Sequence, residues 1–378
     1  MEDSRPYLEL ESPKFGEFAR QRFDVSSEDL AAALQVQQQH GGRLGAILVA
    51  AGLLTNTEVI SVLREQARWV AAMRSRDLPA GLKFPVPTTL SLCLPCYNES
   101  GVIREVLDGA CAVLPEFLEE FEIVVVDDGS SDDTAELVRQ YSAEVDSRVC
   151  LVQREQNGGY GAAVTSGLRA AHGEWVCFTD GDGQFNFLDM PQLLVDAHSH
   201  DMVVGYRYNR ADHVLRKFNA QGWKWVVRSL LGVNIKDLDC AFKLMPRRVI
   251  ERLHLESEGA CISAEIMAQC QRGGVTIAQR PVNHFPRSVG KATGANFQVI
   301  AKAFRELPTM WKYRQMKPWR FDNATPQPAQ STGAEGWRRL AKSEPDHTEA
   351  TTVPLVAAVD QASVEQTTTS TATQAESR

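Results

Sequence analysis

The sequence has no apolar run long enough to cross a bilayer: its longest, LGAILVAAGLL from Leu44 to Leu54, falls well short of the ~20 residues a spanning helix needs. Its start, MEDSRPYLELE, lacks the positive n-region of a secretory leader. Neither a transmembrane nor a secreted chain is expected. The centre of the chain also lacks a net charge of either sign. The formal net charge is −8, yet residues 1–30 hold eight acids against four bases and residues 343–378 hold six against one, which leaves the middle near neutral. Without a strongly basic face, nucleic acid is not an expected partner. Cys93-x-x-Cys96 has no second pair spaced for zinc, so the eight cysteines read as reduced thiols of a cytoplasmic chain. What remains is ordinary globular composition, 43% apolar and 23% charged, over a length that suits two or three domains of roughly 150 residues.

Residues 1–23 read as an N-terminal extension. Residues 24–70 have the pattern of a small all-helical module. Ser26 and Ser27 precede Leu30 and Leu34, Leu44 and Leu48 share a face that Gly52 can close, and Thr55-Asn56-Thr57-Glu58 forms a capping box ahead of Val59, Leu63 and Gln66. Residues 71–89, with three prolines and a glycine in RDLPAGLKFPVPTT, read as a linker. From residue 90 to 320, short apolar runs (LSLCLP, EIVVVDD, VCLVQ, EWVCFTD, DMVVGYR) alternate with helical stretches, the signature of an α/β domain with a mostly parallel sheet. Ile123 to Val126 are apolar at every position, as in a strand covered on both faces. Residues 321–378, ending QTTTSTATQAESR, read as a disordered tail.

Ligands of open parallel sheets bind beyond the carboxyl ends of the strands. In this chain those ends run into Pro95-Cys96-Tyr97-Asn98-Glu99, Asp127-Asp128-Gly129-Ser130, Asn157-Gly158-Gly159-Tyr160-Gly161 and Asp180-Gly181-Asp182-Gly183-Gln184. Each fragment alone has a plainer reading. Asp128-Gly129 is a common turn. Asp180-x-Asp182 opens like a calcium loop, but the required sixth-position Gly and twelfth-position Glu are Phe185 and Pro191. Gly159-x-Gly161 begins a dinucleotide fingerprint whose third glycine is Val164. All four edges together fit a nucleoside diphosphate and a divalent cation. Magnesium takes one or two protein carboxylates with phosphate oxygens, and Asp180 and Asp182 supply that pair.

The stretches LSLCLPCYNES, EIVVVDDGSSDDT, NGGYGAAVTSGL, FTDGDGQFN, VVGYR, KDLDCAFKLMPR and PVNHFPRSVGK occur in one order from about Leu90 to Leu307. In them the chain resembles the family 2 glycosyltransferases of the GT-A fold, in the dolichyl or polyprenyl-phosphate mannosyltransferase-like branch. That resemblance implies a metal-dependent inverting glycosyltransferase using a nucleotide diphosphate sugar and Mg²⁺ or Mn²⁺. By it, Pro95, Tyr97, Glu99 and Asp127 would hold base and ribose, with Asp128 beside them. Asp180, Asp182 and Gln184 would hold metal and diphosphate, Arg207 and Arg287 would meet phosphate charge, and Asp237 and Lys243 would face the acceptor. Asp182, Arg287, Asp237 and Lys243 are then the candidate catalytic residues.

Two acceptors stay open. A lipid monophosphate is largely a dianion at neutral pH and attacks without a base; a glycan or glycolipid hydroxyl would need one, with Asp237 or Asp239 the candidates. A non-catalytic sugar-nucleotide-binding adaptor is the reading from another class. Between Arg287 and Arg320 stand eight bases and one acid, and WKYRQMKPWRF interleaves aromatics with cations, which suits attachment at the cytoplasmic face of a membrane. Gln221-x-x-Lys224-Trp225 only approaches the Gln-x-x-Arg-Trp motif of processive synthases. The helical module, in RLGAILVAAGLLTNTEVISVLREQ, resembles the N-terminal domain of type II secretion and pilus ATPases. Some of those domains bind cyclic di-GMP through tandem copies; one complete copy points to docking of a protein partner or a structural role.

Overall fold

A computed structural model describes residues 14–208 and 234–287. The stretch 311–321, the near-motif at 221–225 and the tail 321–378 lie outside the described residues.

Four helices open the chain: α1 (Phe15–Arg22), α2 (Ser27–His40), α3 (Leu44–Ala50) and α4 (Asn56–Arg74). Their ends carry the expected chemistry. Ser26 Oγ accepts the Asp29 amide, and Thr55 with Glu58 closes the capping box reciprocally. Two readings shift. Helix α1 falls inside the supposed extension, and its Phe18 and Ala19 join Val25, Ala33, Leu48, Leu54 and Val62 in the module core. The buried face of α4 is Val62, Gln66, Ala67 and Val70; it keeps Gln66 of the expected stripe but is offset from Val59 and Leu63, which are half-buried. That offset lets α4 serve two cores. Val62 packs within the module, whereas Ala67, Val70 and Ala71 pack into the core of the sheet domain. The stretch 71–89 is correspondingly less of a linker: α4 runs to Arg74, and buried Phe84 meets Phe117 edge-on at 5.9 Å.

Among the described residues the main elements that follow are β1 (Val86–Cys96), α5 (Ile103–Val113), β2 (Leu118–Asp127), α6 (Thr134–Glu144), β3 (Val149–Gln153), α7 (Tyr160–Ala170), β4 (Trp175–Phe178), α8 (Met190–Asp196), β5 (Met202–Arg207), β6 (Lys243–Pro246), α9 (Ile262–Arg272) and β7 (Ile277–Val282). They build a seven-stranded sheet in the order β3-β2-β1-β4-β6-β5-β7. All pairings are parallel except those of β6, which runs against both β4 and β5. This is the α/β architecture expected from the alternation of apolar runs. Ile123 to Val126 are fully buried in β2, as their unbroken apolar run requires. The chain passes outward from β1 to β2 and β3, then returns to place β4 on the other side of β1. That reversal opens a crevice at the carboxyl ends of β1 and β4, where ligands of such sheets bind.

Candidate active site

The crevice is lined by the loops that leave β1 and β4. Beyond Phe178 the chain continues alongside β1, with the Thr179 amide on Cys93 O and the Gly181 amide on Pro95 O. This places Asp180 and Asp182 beside the end of β1. A Cβ on Gly181 would collide with Cys96 Sγ, so the close approach needs glycine there. Asp182 is 6% exposed; its Oδ1 accepts the Gln184 amide (3.0 Å) and its Oδ2 accepts from Arg287 Nη2 (2.7 Å). The second arm of Arg287, Nη1, reaches Glu99 Oε1 at 3.2 Å. One guanidinium therefore bridges carboxylates from the ends of two strands. Asp180 Oδ1 accepts from the Tyr160 hydroxyl (2.8 Å) at the start of α7.

Three carboxylates around one arginine leave surplus negative charge. Burial and the neighbouring Asp182 raise Asp180 to about 6. Burial raises Glu99 to about 7, with Asp182 and Asp180 adding to the rise and Arg287 opposing it. The folded, metal-free protein thus holds protons from about pH 4 to pH 7 that the unfolded chain has released. This contribution to stability is present at low pH and is lost as pH rises through the folded values. Unfolding of the protein in chelator should show a falling contribution from this cluster across that window, and Glu99→Gln should flatten the slope; an identical pH profile for the variant would contradict the assignment.

The same surplus charge bears on a divalent cation. Among the described residues no three His, Cys, Asp or Glu side chains stand at metal-ligand spacing. Two carboxylates completed by ligand phosphate oxygens suffice for a hard cation, and the repulsion between Asp180 and Asp182 is what such an ion would relieve. The residues present fit the group.

The loop after β1 is held by the loop after β2. Asn98, at φ 57°, donates its amide to Ser130 Oγ and accepts the Ser131 amide on its side chain. The Glu99 amide donates to Thr134 Oγ1 and the Ser100 amide to Asp132. Ser130, Asp132 and Thr134 thus set the position of Glu99, a role that GSSDDT did not reveal as a string. Tyr97 stands 43% exposed at the mouth. Pro95 is buried within β1 and contributes through its carbonyl. Asp127 is fully buried; its Oδ1 accepts the Ser130 amide, while Oδ2 meets no donor from the protein.

Other expected site residues are engaged elsewhere. Asp128 accepts the amides of Gly158 and Gly159 and pairs with Arg154, so its carboxylate ties two loops together. The amides of Gly161 and Ala162, which open α7, donate to Glu258 O. Side chains at Gly159 or Gly161 would strike the backbone of residues 257–259. These glycines therefore serve a close backbone crossing, and buried Glu265 fixes that crossing by accepting the amides of Glu256 and Ser257. Arg207 and Asp237, read as separate phosphate and acceptor contacts, form one bidentate ion pair at 2.6 and 2.8 Å. Asp239 is exposed. The Gln184 side chain donates to Phe285 O and the Gln184 backbone carbonyl accepts the Phe285 amide, which tethers the segment carrying Arg287.

Lys243 is completely buried. Its ammonium donates to Leu238 O, Cys240 O and Ser263 Oγ and lies over the Phe178 ring. Burial lowers its pKa. With every proton of the ammonium directed at a protein acceptor, it braces the turn before β6. Lys243→Met should cost about 2–4 kcal/mol by leaving buried carbonyls unpaired, read as a lower denaturant midpoint. An unchanged midpoint with lost turnover would restore the catalytic reading.

The profile of the glycosyl transferase family 2 domain matches residues 91–256. The dolichyl-phosphate beta-glucosyltransferase of Dictyostelium discoideum is 30% identical over 255 residues, covering 60% of this chain and 77% of that protein. The chain belongs to glycosyl transferase family 2. This glycosyltransferase is also 29% identical over 182 residues to the dodecaprenyl-phosphate galacturonate synthase of Rhizobium johnstonii, covering 47% of this chain and 54% of that protein. Among solved structures, glucosyl-3-phosphoglycerate synthase from Mycobacterium tuberculosis in complex with Mn²⁺ and uridine-diphosphate-glucose is similar at TM-score 0.48 and 20% identity, covering 65% of this chain and 83% of that one. The family match starts in β1, so the helical module of the glycosyltransferase lies outside it.

Proposed function

We propose that this glycosyltransferase moves a sugar from a nucleoside diphosphate sugar to a polyprenyl monophosphate, by a single inverting displacement at the cytoplasmic membrane surface. The observation that carries the donor half is the cluster of Asp180, Asp182, Glu99 and Arg287 at the reversal point of the sheet. The orphaned Oδ2 of Asp127 is a buried acceptor that a base or ribose donor would satisfy, and exposed Tyr97 offers a ring to the base. The acceptor half is supported by the relatives named for dolichyl and dodecaprenyl phosphate.

In the reaction the bond from the sugar carbon to the diphosphate oxygen breaks, and a bond to an acceptor phosphate oxygen forms on the opposite face. A bound Mg²⁺ or Mn²⁺ supplies Lewis-acid neutralisation of the departing diphosphate. Asp180 and Asp182 provide the oxygen donors for that ion, and Tyr160 fixes the orientation of Asp180. Arg287 holds Asp182 and Glu99 in place and presents its charge toward the diphosphate. A phosphate dianion needs no base, which agrees with the engagement of both oxygens of Asp237 by Arg207. Among the described residues no helix is long and apolar enough to cross a membrane. Surface attachment rests on the basic and aromatic sequence between residues 287 and 320. The helical module is open to a protein partner through α2, on which Leu34 and Val36 are exposed.

The test is a transfer assay offering uridine, guanosine and cytidine diphosphate sugars to a short-chain polyprenyl phosphate and, in parallel, to the dephosphorylated alcohol. Product on the phosphate alone is expected. Equal product on the alcohol would support the hydroxyl acceptor, and release of no nucleotide from any donor would support the adaptor reading.

A further inference from the structure

The module and the donor site meet at one residue. Arg43 closes the loop between α2 and α3, and its side chain leaves the module to enter the sheet domain. Nε and Nη2 donate to Gly183 O at 3.3 and 3.0 Å, and Nη2 also donates to Phe185 O at 2.9 Å. These carbonyls belong to the loop that carries Asp182 and Gln184. The guanidinium also lies 3.4 Å from Glu105 of α5. Room for it comes from Gly109, where a Cβ would stand 3.3 Å from Nη1. The preceding residues complete the fit. Gly41 and Gly42 turn with φ of 75° and 91°, and Gln37 Nε2 holds the turn through Gly42 O. A Cβ on Gly41 would stand 3.6 Å from Pro286 and 3.7 Å from Arg287 O, so the turn lies against the segment that supplies the bridging arginine.

The loop is tied to β1 through Thr179 and Gly181 and to the segment before Arg287 through Gln184 and Phe185, and a tilt of Gly183 between these anchors would carry Asp182 away from Asp180. Arg43 takes the outward carbonyls on either side of Gln184, while Asp182 takes the Gln184 amide from within. A planar guanidinium carries its donors in a rigid fork, so it holds two carbonyls at a fixed spacing, whereas a lysine on a flexible stem would not fix that spacing. Burial lowers the Arg43 pKa, and the nearby Glu105 and Asp182 oppose that shift by favouring its charged form.

We propose that Arg43 is a positioning residue for the donor site: through the carbonyls of Gly183 and Phe185 it holds the Asp182 loop in its metal- and diphosphate-binding geometry, which makes the helical module a working part of the transferase. This rests on the reading of Asp180 and Asp182 as the donor site. A group that orients a ligand loop without touching the ligand affects metal affinity about 10- to 100-fold when removed. The loop should also open more often without altering the sheet behind it.

The experiment titrates UDP and GDP into the full chain with and without Mn²⁺, for wild type, Arg43→Ala and Arg43→Lys, and follows amide hydrogen exchange in the same proteins. Arg43→Ala should weaken Mn²⁺-dependent nucleotide binding about 10- to 100-fold. It should raise exchange in residues 179–186 while β1 and β2 keep wild-type protection. Arg43→Lys, which retains the charge and one carbonyl bond, should fall between the two. It carries the test if Arg43→Ala does not fold. Wild-type affinity and exchange in both variants would overturn the role of Arg43 alone, as would protection lost evenly across the whole sheet. A wild-type protein that binds neither nucleotide with Mn²⁺ would overturn the donor-site reading and this proposal with it.

Discussion

Asp182→Asn should abolish useful turnover, lowering kcat about 10²–10³-fold or more while the protein stays folded. The amide has the shape of the carboxylate, and its oxygen can still accept the Gln184 amide. What disappears is one of two charges available to a cation, and with it the stronger half of the Arg287 bridge. Stability should not fall, because neutralising one of three crowded carboxylates relieves the repulsion that adds to burial in raising Asp180 to about 6 and Glu99 to about 7. Steady-state transfer with the thermal midpoint measured on the same sample separates these effects. A fully active Asp182→Asn enzyme would remove this residue from the site.

The second large effect is expected from Arg287→Ala. Arg287 is the cation on both Glu99 and Asp182, and it holds Glu99 lower than burial alone would. Without it the ionised cluster forms only at higher pH. The acid limb of the pH–rate profile should move upward, since protons must leave Glu99 and Asp180 before a cation can enter. Loss of a charge aimed at the leaving diphosphate should lower kcat about 10²–10³-fold as well. Arg287→Lys should recover part of the rate, because it restores charge without the two-armed bridge. A rate loss with an unmoved acid limb would show that Arg287 does not govern the ionisation of Glu99.

Much of this site is legible in the sequence because parallel sheets put their chemistry at strand ends. Asp180, Asp182, Glu99 and Asp127 come directly after apolar runs of obvious strand character, and the crevice collects the loops leaving β1 and β4. The sequence is less informative wherever a side chain is used by a distant backbone. Lys243, Arg207 and Asp237 look like free charges on paper, yet each is engaged by residues whose proximity depends on β6 lying antiparallel between β4 and β5. That strand is four residues long and carries no periodicity of its own. The glycines of NGGYG suggest a phosphate loop because their spacing encodes only freedom of approach; the group that approaches is the carbonyl of Glu258. Tyr160 and Arg43 had no local signal, one being a tyrosine in a turn and the other a cation before a short helix.

On the proposed function, the cluster of Asp180, Asp182, Glu99 and Arg287 binds a nucleoside diphosphate through a divalent cation. Thermal shift of the full chain with UDP, GDP or CDP, each with Mn²⁺, Mg²⁺ or chelator, tests it most directly, with Asp182→Asn alongside. The expected result is stabilisation by one base in preference to the others, present with metal, lost in chelator and absent in Asp182→Asn. Stabilisation of equal size in chelator, or in Asp182→Asn, would contradict the claim.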